Sequence, residues 1–465
     1  MAANLEAALQ TVLKRELADN AVLESCQQLS AGASLETYRI SVKTDTGEQR
    51  LALRRMQPTM AKDSRFGSIS LDAEARLFQL AAENSIPAPR VVYVLQGKDN
   101  LGSGFLMEWL DGETLGQRIV RSEALADVRA QLAFQCGQVL GQIHALDWKS
   151  AQLADALPIV DPENLVDETW KSYCELNVPV PMIDFSWRWL KEHLPENPQS
   201  VLVHGDFRNG NLMIDQTGIK AVLDWELAHI GDPVRDLGWL CVNSWRFGFT
   251  EQPVGGFGHI DDLLAGYQQT SGISVSREHL EFWQVFGSFW WAGGTLQMVN
   301  AWRTGDIPIL ERPVIGRRSS EAQMDCVNLL IPGEYSLPDA KLSIAAGTSL
   351  PMPAELLEGV ANFLKHDIAE QLDTHDAFLA RVAANSLRIA QREFLHGEKL
   401  AAEEKQRLTE LIGRDGELDT LRWELVDRLR NGIPLDTPGL ASHLRQTVAG
   451  QLAIDQPTYS ALRSG

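Results

Sequence analysis

The chain has 465 residues, of which 44% are apolar and 22% charged, values typical of a globular protein with two or three domains. Its formal net charge of −20 argues against a general nucleic-acid or acidic-membrane binder, because such partners attract a basic surface. Five scattered cysteines indicate reduced thiols, and no apolar run is long enough for a signal peptide or a membrane span. We therefore expect a cytoplasmic protein without nucleic-acid or membrane partners.

The first part of the chain predicts a helix followed by a small antiparallel sheet that contains one further helix. Helical spacing and strand alternation of apolar residues carry these predictions. The predicted elements are, in order, a helix over 5–23, strands over 38–42 and 51–55, a helix over about 71–84, and strands over 91–94 and 104–109.

Two adjacent arginines end the second predicted strand. Side chains alternate between the faces of a strand, so only one of Arg54 and Arg55 can face the interior. Glu74, near the start of the following helix, is a candidate counter-ion for Arg54, with Asp72 as a competing choice. The alternative is that Arg54 lies in solvent at a sheet edge, as most surface arginines do.

Beyond residue 110 the pattern becomes predominantly helical, with long helices predicted over 123–146 and 278–302. Between these helices lies the stretch His204-Gly205-Asp206-Phe207-Arg208-Asn209-Gly210-Asn211, with short apolar strands predicted on both sides of it. It is followed by Asp224-Trp225-Glu226 and then by Gly231-Asp232-Pro233-Val234-Arg235-Asp236.

This stretch supplies two carboxylates and one amide, from Asp206, Asp224 and Asn211. Phosphoryl transfer from a nucleotide needs one carboxylate to position the attacking hydroxyl. It also needs an amide oxygen and a second carboxylate to hold a metal ion on the phosphates. The spacing therefore predicts a phosphotransferase.

On these motifs, residues from about 25 to 335 resemble the aminoglycoside phosphotransferase and choline kinase group. Within that group the chain is most similar to the kinase domains linked to acyl-CoA dehydrogenases. The resemblance implies an α+β, two-lobed, protein-kinase-like fold followed by a small all-α helical bundle. We expect a β-rich N-lobe over 1–107, a helical catalytic C-lobe over 108–335, and a C-terminal helical domain over 345–465.

The resemblance also implies roles for individual residues of the catalytic stretch. Asp206 would be the catalytic carboxylate, and Asn211 and Asp224 would be the ligands of Mg²⁺. Asp236 would brace the catalytic loop through hydrogen bonds to its backbone, and His204 would support the loop by packing.

The same resemblance implies an ATP site in the N-lobe and at the segment that joins the lobes. Arg54 stands where many kinases place a lysine on the phosphates, and Glu74 would hold it there. A loop before the strands would cover the phosphates, and backbone atoms of the joining segment would bind the adenine. The implied nucleotide-binding residues are Gly32, Arg54, Glu74, Met107, Glu108 and Leu110.

The acceptor is expected to be a small molecule with a hydroxyl group. Arg208 and the basic cluster Arg312, Arg317 and Arg318 favour an anionic acceptor, for which the resemblance suggests a hydroxyacyl-CoA. The thirteen tryptophans could instead cage a cationic acceptor of the choline or aminoglycoside type, although tryptophans at helical spacing more often fill a core. A catalytically weak pseudokinase is the third alternative, and a homodimer is compatible with the sequence.

The final predicted domain, over 345–465, shows four apolar stripes at helical spacing and carries no recognisable catalytic motif. It resembles a helical domain that some bacteria carry beside these kinases. The sequence leaves its role open.

Overall fold

The computed structural model describes residues 2–31, 35–56, 68–151, 153–338 and 351–462. Gly32, predicted to cover the phosphates, lies outside the described residues. The chain divides into two compact units. The first unit consists of Met1–Asp161, Asn197–Cys241 and Trp245–Leu280, and the second of Pro162–Glu196, Val242–Ser244 and Glu281–Gly465. These units group the chain differently from the three predicted domains, whose boundaries stay a prediction.

All paired strands of the described residues are antiparallel and belong to the first unit. They form one five-stranded sheet in the order β1-β2-β3-β5-β4 and two two-stranded sheets, β6-β9 and β7-β8. The strands are β1 (Val22–Ala31), β2 (Glu36–Thr44), β3 (Gly47–Met56), β4 (Val91–Val94), β5 (Ser103–Glu108), β6 (Val201–Val203), β7 (Leu212–Asp215), β8 (Gly218–Val222) and β9 (His229–Gly231).

The α-helices of the described residues lie in both units. In chain order they are α1 (Ala2–Glu16), α2 (Leu71–Glu83), α3 (Gly116–Ile119), α4 (Ala126–His144), α5 (Pro162–Cys174), α6 (Pro181–Glu192), α7 (Val234–Leu240), α8 (Ile260–Ser271), α9 (Arg277–Arg303), α10 (Glu311–Gly316), α11 (Ser319–Leu330), α12 (Pro353–Asn362), α13 (Thr374–Ile412), α14 (Leu418–Arg430) and α15 (Leu440–Asp455). None of these described helices is long and apolar enough to cross a membrane.

The five-stranded sheet is covered on one face by α1. Leu9 and Leu13 of this helix pack against Ile40 and Leu53 from the alternating inward positions of β2 and β3. Arg55 points to this same face, where it pairs with Glu36 at 2.8 Å. Strand alternation therefore sends the neighbouring Arg54 to the opposite face, as predicted.

The opposite face of the sheet packs against α2. Phe78 of α2 meets Phe105 of β5 with ring centroids 5.7 Å apart, and its other neighbour is the buried Trp225 at 6.4 Å. Ser70 begins the helix by accepting a hydrogen bond from the Ala73 N–H, which satisfies a backbone donor at the helix start. This packing fixes Glu74, in the first turn of α2, beneath the sheet.

The prediction of one helix over 5–23 is wrong in its second half. The helix ends at Glu16, and the following residues turn into β1, which pairs with β2. The side chain of Gln10 fixes this turn, since it donates to the Ala21 carbonyl at 2.7 Å and accepts from the Leu23 N–H at 2.8 Å. Half of the residues of this strand are polar, and the apolar ones do not alternate regularly along it.

Helices α4 and α8 pack in the first unit with their backbones unusually close. A Cβ on Gly137 of α4 would lie 2.1 Å from the Leu263 carbonyl oxygen of α8. In the other direction, a Cβ on Gly266 of α8 would lie 2.0 Å from the Phe134 carbonyl oxygen. The close approach positions His144, at the C-terminal end of α4, beside Tyr267 of α8 and under the catalytic loop.

The second unit contains the C-terminal helices α12–α15, so the predicted helical region is confirmed. Two of its apolar stripes are not core, however. The large side chains Leu356, Val360, Phe363, Phe378 and Phe394 are 49% to 57% exposed. Small residues are buried instead, namely Ala354, Ala361, Ala377, Ala380 and Ala384. Helix α12 thus packs on α13 through its alanines.

We predict that Gly137→Ala lowers the free energy of unfolding of the first unit by about 1–3 kcal/mol, because the added methyl group overpacks a backbone contact. Thermal unfolding of the variant and the wild type measures the difference. Gly97→Ala is the matched control, since a Cβ there would meet nothing within 4 Å. Equal loss of stability in both variants would contradict the close packing of α4 on α8.

Candidate active site

The catalytic stretch forms a tight loop that begins where β6 ends. Gly205 adopts a φ of +83°, and a Cβ at this position would lie 2.2 Å from the Leu227 carbonyl oxygen, so a side chain is excluded. The Gly205 carbonyl accepts a hydrogen bond from Arg235 at 3.1 Å. The loop then returns through Asn211 into β7.

Asp236 holds the start of this loop from below, as the sequence predicted. Its carboxylate accepts hydrogen bonds from the backbone N–H groups of His204 at 2.8 Å and Gly205 at 2.9 Å. His144 Nε2 lies 3.2 Å from the same carboxylate. Burial alone would raise the pKa of Asp236, but the bond with His144 and the nearby charge of Arg235 lower it to about 2.

His204 has a packing position and not a catalytic one. The ring is fully buried, lies 4.6 Å from the Trp225 ring centroid, and bonds the Leu223 carbonyl through Nε2 at 3.1 Å. Burial lowers the pKa of His204, which keeps the imidazole neutral. The predicted role of supporting the loop therefore fits its surroundings.

Asp206 is buried at the centre of the loop, and its two carboxylate oxygens have different partners. Oδ1 accepts hydrogen bonds from Trp239 Nε1 at 2.7 Å and Arg208 Nε at 3.0 Å, whereas Oδ2 accepts one from Asn211 Nδ2 at 2.6 Å. Burial raises the pKa of Asp206, and Asp224 acts in the same direction, while Arg208 and Trp239 oppose the shift.

Asn211 and Asp224 are brought together by the backbone. The Leu223 N–H donates to the Asn211 carbonyl at 2.8 Å, which places Asp224 immediately beyond the pair. The NH₂ group of Asn211 donates to both the carbonyl and the carboxylate of Asp206, so the amide oxygen is left available as a ligand. Asp224 has a φ of +65°, a conformation that non-glycine residues adopt rarely and mainly at functional sites.

Arg54 reaches this cluster from the sheet. Its guanidinium donates through Nε to Glu74 at 3.2 Å and through Nη2 to Asp224 at 2.6 Å, and it lies 3.8 Å from Glu226. The structure thus selects Glu74 as the counter-ion and gives no such place to Asp72. Burial lowers the pKa of Arg54, but the three surrounding carboxylates raise it more, so the group stays charged.

Glu74 pairs with Arg54 in an almost water-free position, with only 1% of its side chain exposed. Burial raises the pKa of Glu74 to about 7, and the charges of Asp224 and Glu226 add to this, while Arg54 acts in the opposite direction. Its second oxygen, Oε1, is buried without a hydrogen-bond partner among the described residues. The carboxylate therefore depends on Arg54 for its stability.

The segment predicted to bind adenine runs from the end of β5 to Leu110. Met107 and Glu108 lie at the end of that strand and are partly buried, and the Glu108 side chain accepts a hydrogen bond from the Arg90 N–H at 2.9 Å. The Leu110 N–H makes no hydrogen bond to any described backbone or side-chain group. An unpaired backbone donor at this point fits the expected adenine contact.

The candidate acceptor-binding arginines have different surroundings. Arg208 lies over the Trp245 ring, 4.4 Å from its centroid, and pairs with Asp206 within the first unit. In the second unit, Arg317 pairs with Glu393 and Asp455, each at 3.0 Å. Arg318 pairs with Glu321 at 3.0 Å. The charges of both Arg317 and Arg318 are therefore already balanced, and their predicted contact with a substrate stays a prediction.

Two contributors to the site were not predicted as such. Trp239 orients Asp206 through its indole N–H, and His144, 92 residues earlier in the chain, bonds Asp236 from the end of α4. From the sequence, Trp239 was one of thirteen tryptophans without an assigned position. Its position three residues after Asp236 on α7 was the available signal, since one helical turn places both side chains near the same loop.

Comparisons with known proteins show the family of the chain. The model of the phosphotransferase enzyme family that includes aminoglycoside phosphotransferases matches residues 25–273, more than half of the chain. The chain belongs to this family. A second model, described as a domain of unknown function, matches residues 370–459.

Two curated proteins are similar to the chain over part of their own length. It is 29% identical over 280 residues to acyl-CoA dehydrogenase family member 10 of Mus musculus, covering 56% of this chain and 25% of the relative. It is 24% identical over 348 residues to acyl-CoA dehydrogenase family member 11 of Pongo abelii, covering 71% and 42%. The chain thus spans less than half the length of either relative.

A solved structure from Ralstonia eutropha, assigned to the aminoglycoside phosphotransferases, matches with a TM-score of 0.55 and 21% identity. The match covers 69% of this chain and 96% of that one. It confirms the predicted α+β, protein-kinase-like fold.

We predict that Asp236→Asn destabilises the first unit by roughly 2–3 kcal/mol at pH 7, the value implied by a pKa lowered from 3.8 to about 2. A carboxylate whose pKa is lowered by folding stabilises the folded state at pH values above its unfolded-state pKa. This stabilisation is lost as the pH falls through its folded-state pKa. The difference from wild type should therefore stay constant from pH 8 to 5 and shrink below pH 4.

Thermal unfolding across this pH range measures the effect, with Asp45→Asn in an exposed hairpin turn as the control. Equal free energies of unfolding for the wild type and Asp236→Asn at pH 7 would show that the Asp236 carboxylate does not hold the loop.

Proposed function

We propose that this phosphotransferase moves the γ-phosphoryl group of ATP, with Mg²⁺, to the hydroxyl group of a small molecule. The observation that carries the proposal is the hydrogen-bonded pair of Asp206 and Asn211 beside Asp224, whose carboxylate is bonded to Arg54. Two carboxylates, one amide and one cation are what positioning a hydroxyl and binding a metal–phosphate group require.

The residues present fit a magnesium ion that is shared with phosphates. Among the described residues, no three His, Cys, Asp or Glu side chains form a metal cage. Mg²⁺ bound with a nucleotide does not need one, because phosphates and water supply most of its ligands. The free amide oxygen of Asn211 and the carboxylate of Asp224, whose side chain is 29% exposed, are the donors that would hold it. Bound there, the ion neutralises charge on the phosphates.

Arg54 would change partners when the nucleotide binds. Its Nη2 group bonds Asp224, the same carboxylate that would hold the metal ion. Phosphate oxygens would attract this guanidinium away and leave Asp224 to the cation, while the Nε bond to Glu74 keeps Arg54 in reach. Arginine can do this because its planar guanidinium group carries separate N–H donors for two partners.

Asp206 would orient the acceptor hydroxyl and accept its proton as the phosphoryl group moves. Trp239 and Asn211 each bond a different oxygen of the carboxylate, which fixes its plane without neutralising its charge. The raised pKa of Asp206 makes it a better proton acceptor than an ordinary exposed aspartate.

The Leu110 N–H and the backbone of Glu108 would hold the adenine, with Met107 beside it.

For the acceptor we propose a hydroxyacyl-CoA. Two named relatives are acyl-CoA dehydrogenase family members, which makes an acyl-CoA the natural metabolite class to test first. Arg208, beside Asp206 and stacked on Trp245, offers a cation for a negatively charged acceptor. The observation that would favour a choline-type cation instead is the aromatic pair of Trp239 and Trp245, whose ring centroids lie 5.0 Å apart. Arg208, however, already occupies the face of the Trp245 ring.

We predict that the protein with Mg²⁺ and ATP releases ADP when given a 3-hydroxyacyl-CoA, and that Asp206→Asn lowers this rate by about 100-fold or more. Asp215→Asn is the matched control, because that carboxylate caps an exposed hairpin through Thr217 and should leave the rate unchanged. Coupled ADP assay and mass detection of the phosphorylated thioester provide the two readouts.

The outcomes separate the alternatives. Transfer to choline or an aminoglycoside but to no hydroxyacyl thioester would reject the proposed acceptor and keep the phosphotransferase mechanism. If the wild type and Asp206→Asn were equally inert with every acceptor while still binding ATP, the chain would be a nucleotide-binding pseudokinase.

A further inference from the structure

The second unit contains a cavity of about 480 Å³ between its helices. Helices α13 and α15 supply most of the lining, and shorter stretches near residues 179–182, 316–323 and 418–422 complete it. A cavity of this volume is in the range that binds small organic ligands. Of the residues considered for the phosphotransferase site, Arg317 alone lines this cavity, and its charge is balanced there by Glu393 and Asp455.

His443 is the first sign that the cavity is built for a ligand. Its side chain lines the cavity on α15 and the residue is only 2% exposed, yet neither ring nitrogen has a hydrogen-bond partner among the described residues. Burial and the neighbouring charges of Arg407 and Arg422 lower the pKa of His443 to about 3, so the ring is neutral. It then carries one N–H donor and one acceptor, both unused.

Arg407 of α13 is the second sign. Its Nη2 group bonds the Thr447 hydroxyl at 3.2 Å, but its Nε–H is buried without a partner. No ion pair between described residues includes this guanidinium, although it lines the same cavity as His443. A buried arginine donor without an acceptor is costly, and an anion would satisfy it.

The other two arginines of the lining are already saturated. Arg422 binds both carboxylate oxygens of Glu404, at 2.8 and 2.5 Å, and Arg317 binds Glu393 and Asp455. Glu404, one helical turn before Arg407, is bonded to Arg422, although its charge and that of Glu403 also act on Arg407. Among the described residues, Arg407 is the arginine of the lining without an ion pair.

The remainder of the lining is mixed, with apolar side chains outnumbering the polar ones of Ser319, Ser320, Gln323, Gln446, Thr447 and Gln451. Leu400, Leu418, Leu444 and Val448 face the cavity along with Ile454. A hydrated inorganic ion would leave this surface without contacts, whereas an organic molecule with an aliphatic body would cover it. The lining is thus amphipathic, and among the described residues Arg407 and His443 carry its buried polar atoms without a hydrogen-bond partner.

We propose that this cavity is a binding site for a small organic anion, a carboxylate or a phosphate monoester on an aliphatic body. The oxyanion accepts hydrogen bonds from Arg407 Nε and from the His443 N–H, and the aliphatic body packs against the leucines of α13, α14 and α15. This site is independent of the proposed phosphoryl transfer, since none of its residues takes part in that reaction.

The test is calorimetric titration of the 465-residue chain with four probes of equal alkyl length: octanoate, octyl phosphate, octan-1-ol and octylamine. We expect octanoate or octyl phosphate, or both, to bind at one site per chain, and the better of the two identifies the oxyanion. Octan-1-ol and octylamine should bind at least about tenfold more weakly. This comparison uses the wild type and does not depend on any variant folding.

Arg407→Gln should weaken binding of the preferred anion about tenfold or more, because it removes the charge and the Nε donor. Arg381→Gln, an exposed position on the same helix, is the matched control and should bind like the wild type. Asp206→Asn should also bind like the wild type, which keeps this test separate from the proposed catalytic function.

Three results would overturn the proposal. Absence of binding by both anions at millimolar concentration would show that the cavity holds only water. Equal binding of octan-1-ol would show an apolar pocket without an anion site, and undiminished binding to Arg407→Gln would place the anion elsewhere.

Discussion

The charge on Arg54 holds the catalytic half of this molecule together. Glu74 lies under the sheet with 1% of its side chain exposed, and Asp224 lies at the end of the strand pair that follows the catalytic loop. A carboxylate buried to this degree stays charged only when a cation accompanies it, and removal of one partner of such a pair typically costs about 3–5 kcal/mol. One guanidinium thus joins β3, α2 and the Asp224 carboxylate.

The catalytic loop is organised in the same way, by buried groups that satisfy one another. Asp236 accepts the backbone donors of His204 and Gly205, and Asn211 and Trp239 take one oxygen each of Asp206. Each functional side chain is therefore fixed by hydrogen bonds before any ligand arrives. Preorganisation of this kind is the main contribution that a protein makes to phosphoryl transfer, in which little covalent chemistry falls to the enzyme.

Much of this could be predicted from the sequence where the signal is local. Strand alternation separated Arg54 from Arg55, and the spacing of the catalytic stretch predicted both its strands and its acid–amide–acid set. Glu74 could not be chosen over Asp72 in advance, because both lie in the first turn of one helix and only the packing of Phe78 decides the rotation of that helix. The β1 strand was missed because its pairing with β2, and not an apolar pattern, makes it a strand.

The helical region shows a different limit of sequence reasoning. Large apolar residues at helical spacing, such as Phe378 and Phe394, predicted a core, but in the structure alanines make the contacts and the large residues are half exposed. The sequence pattern shows which face of a helix is apolar, but it does not show which neighbouring element covers that face. The cavity beside Arg407 and His443 was equally beyond prediction, since its lining comes from segments more than 260 residues apart.

The central claim, that Asn211 and Asp224 hold a divalent cation together with nucleotide phosphates, is tested most directly by binding of Mn²⁺ in the presence of ADP, followed by electron paramagnetic resonance. The account predicts that the wild type binds Mn²⁺ with ADP, and that Asp224→Asn weakens this binding about tenfold or more while ADP alone still binds. Wild-type affinity for Mn²⁺–ADP in the Asp224→Asn protein would contradict the account.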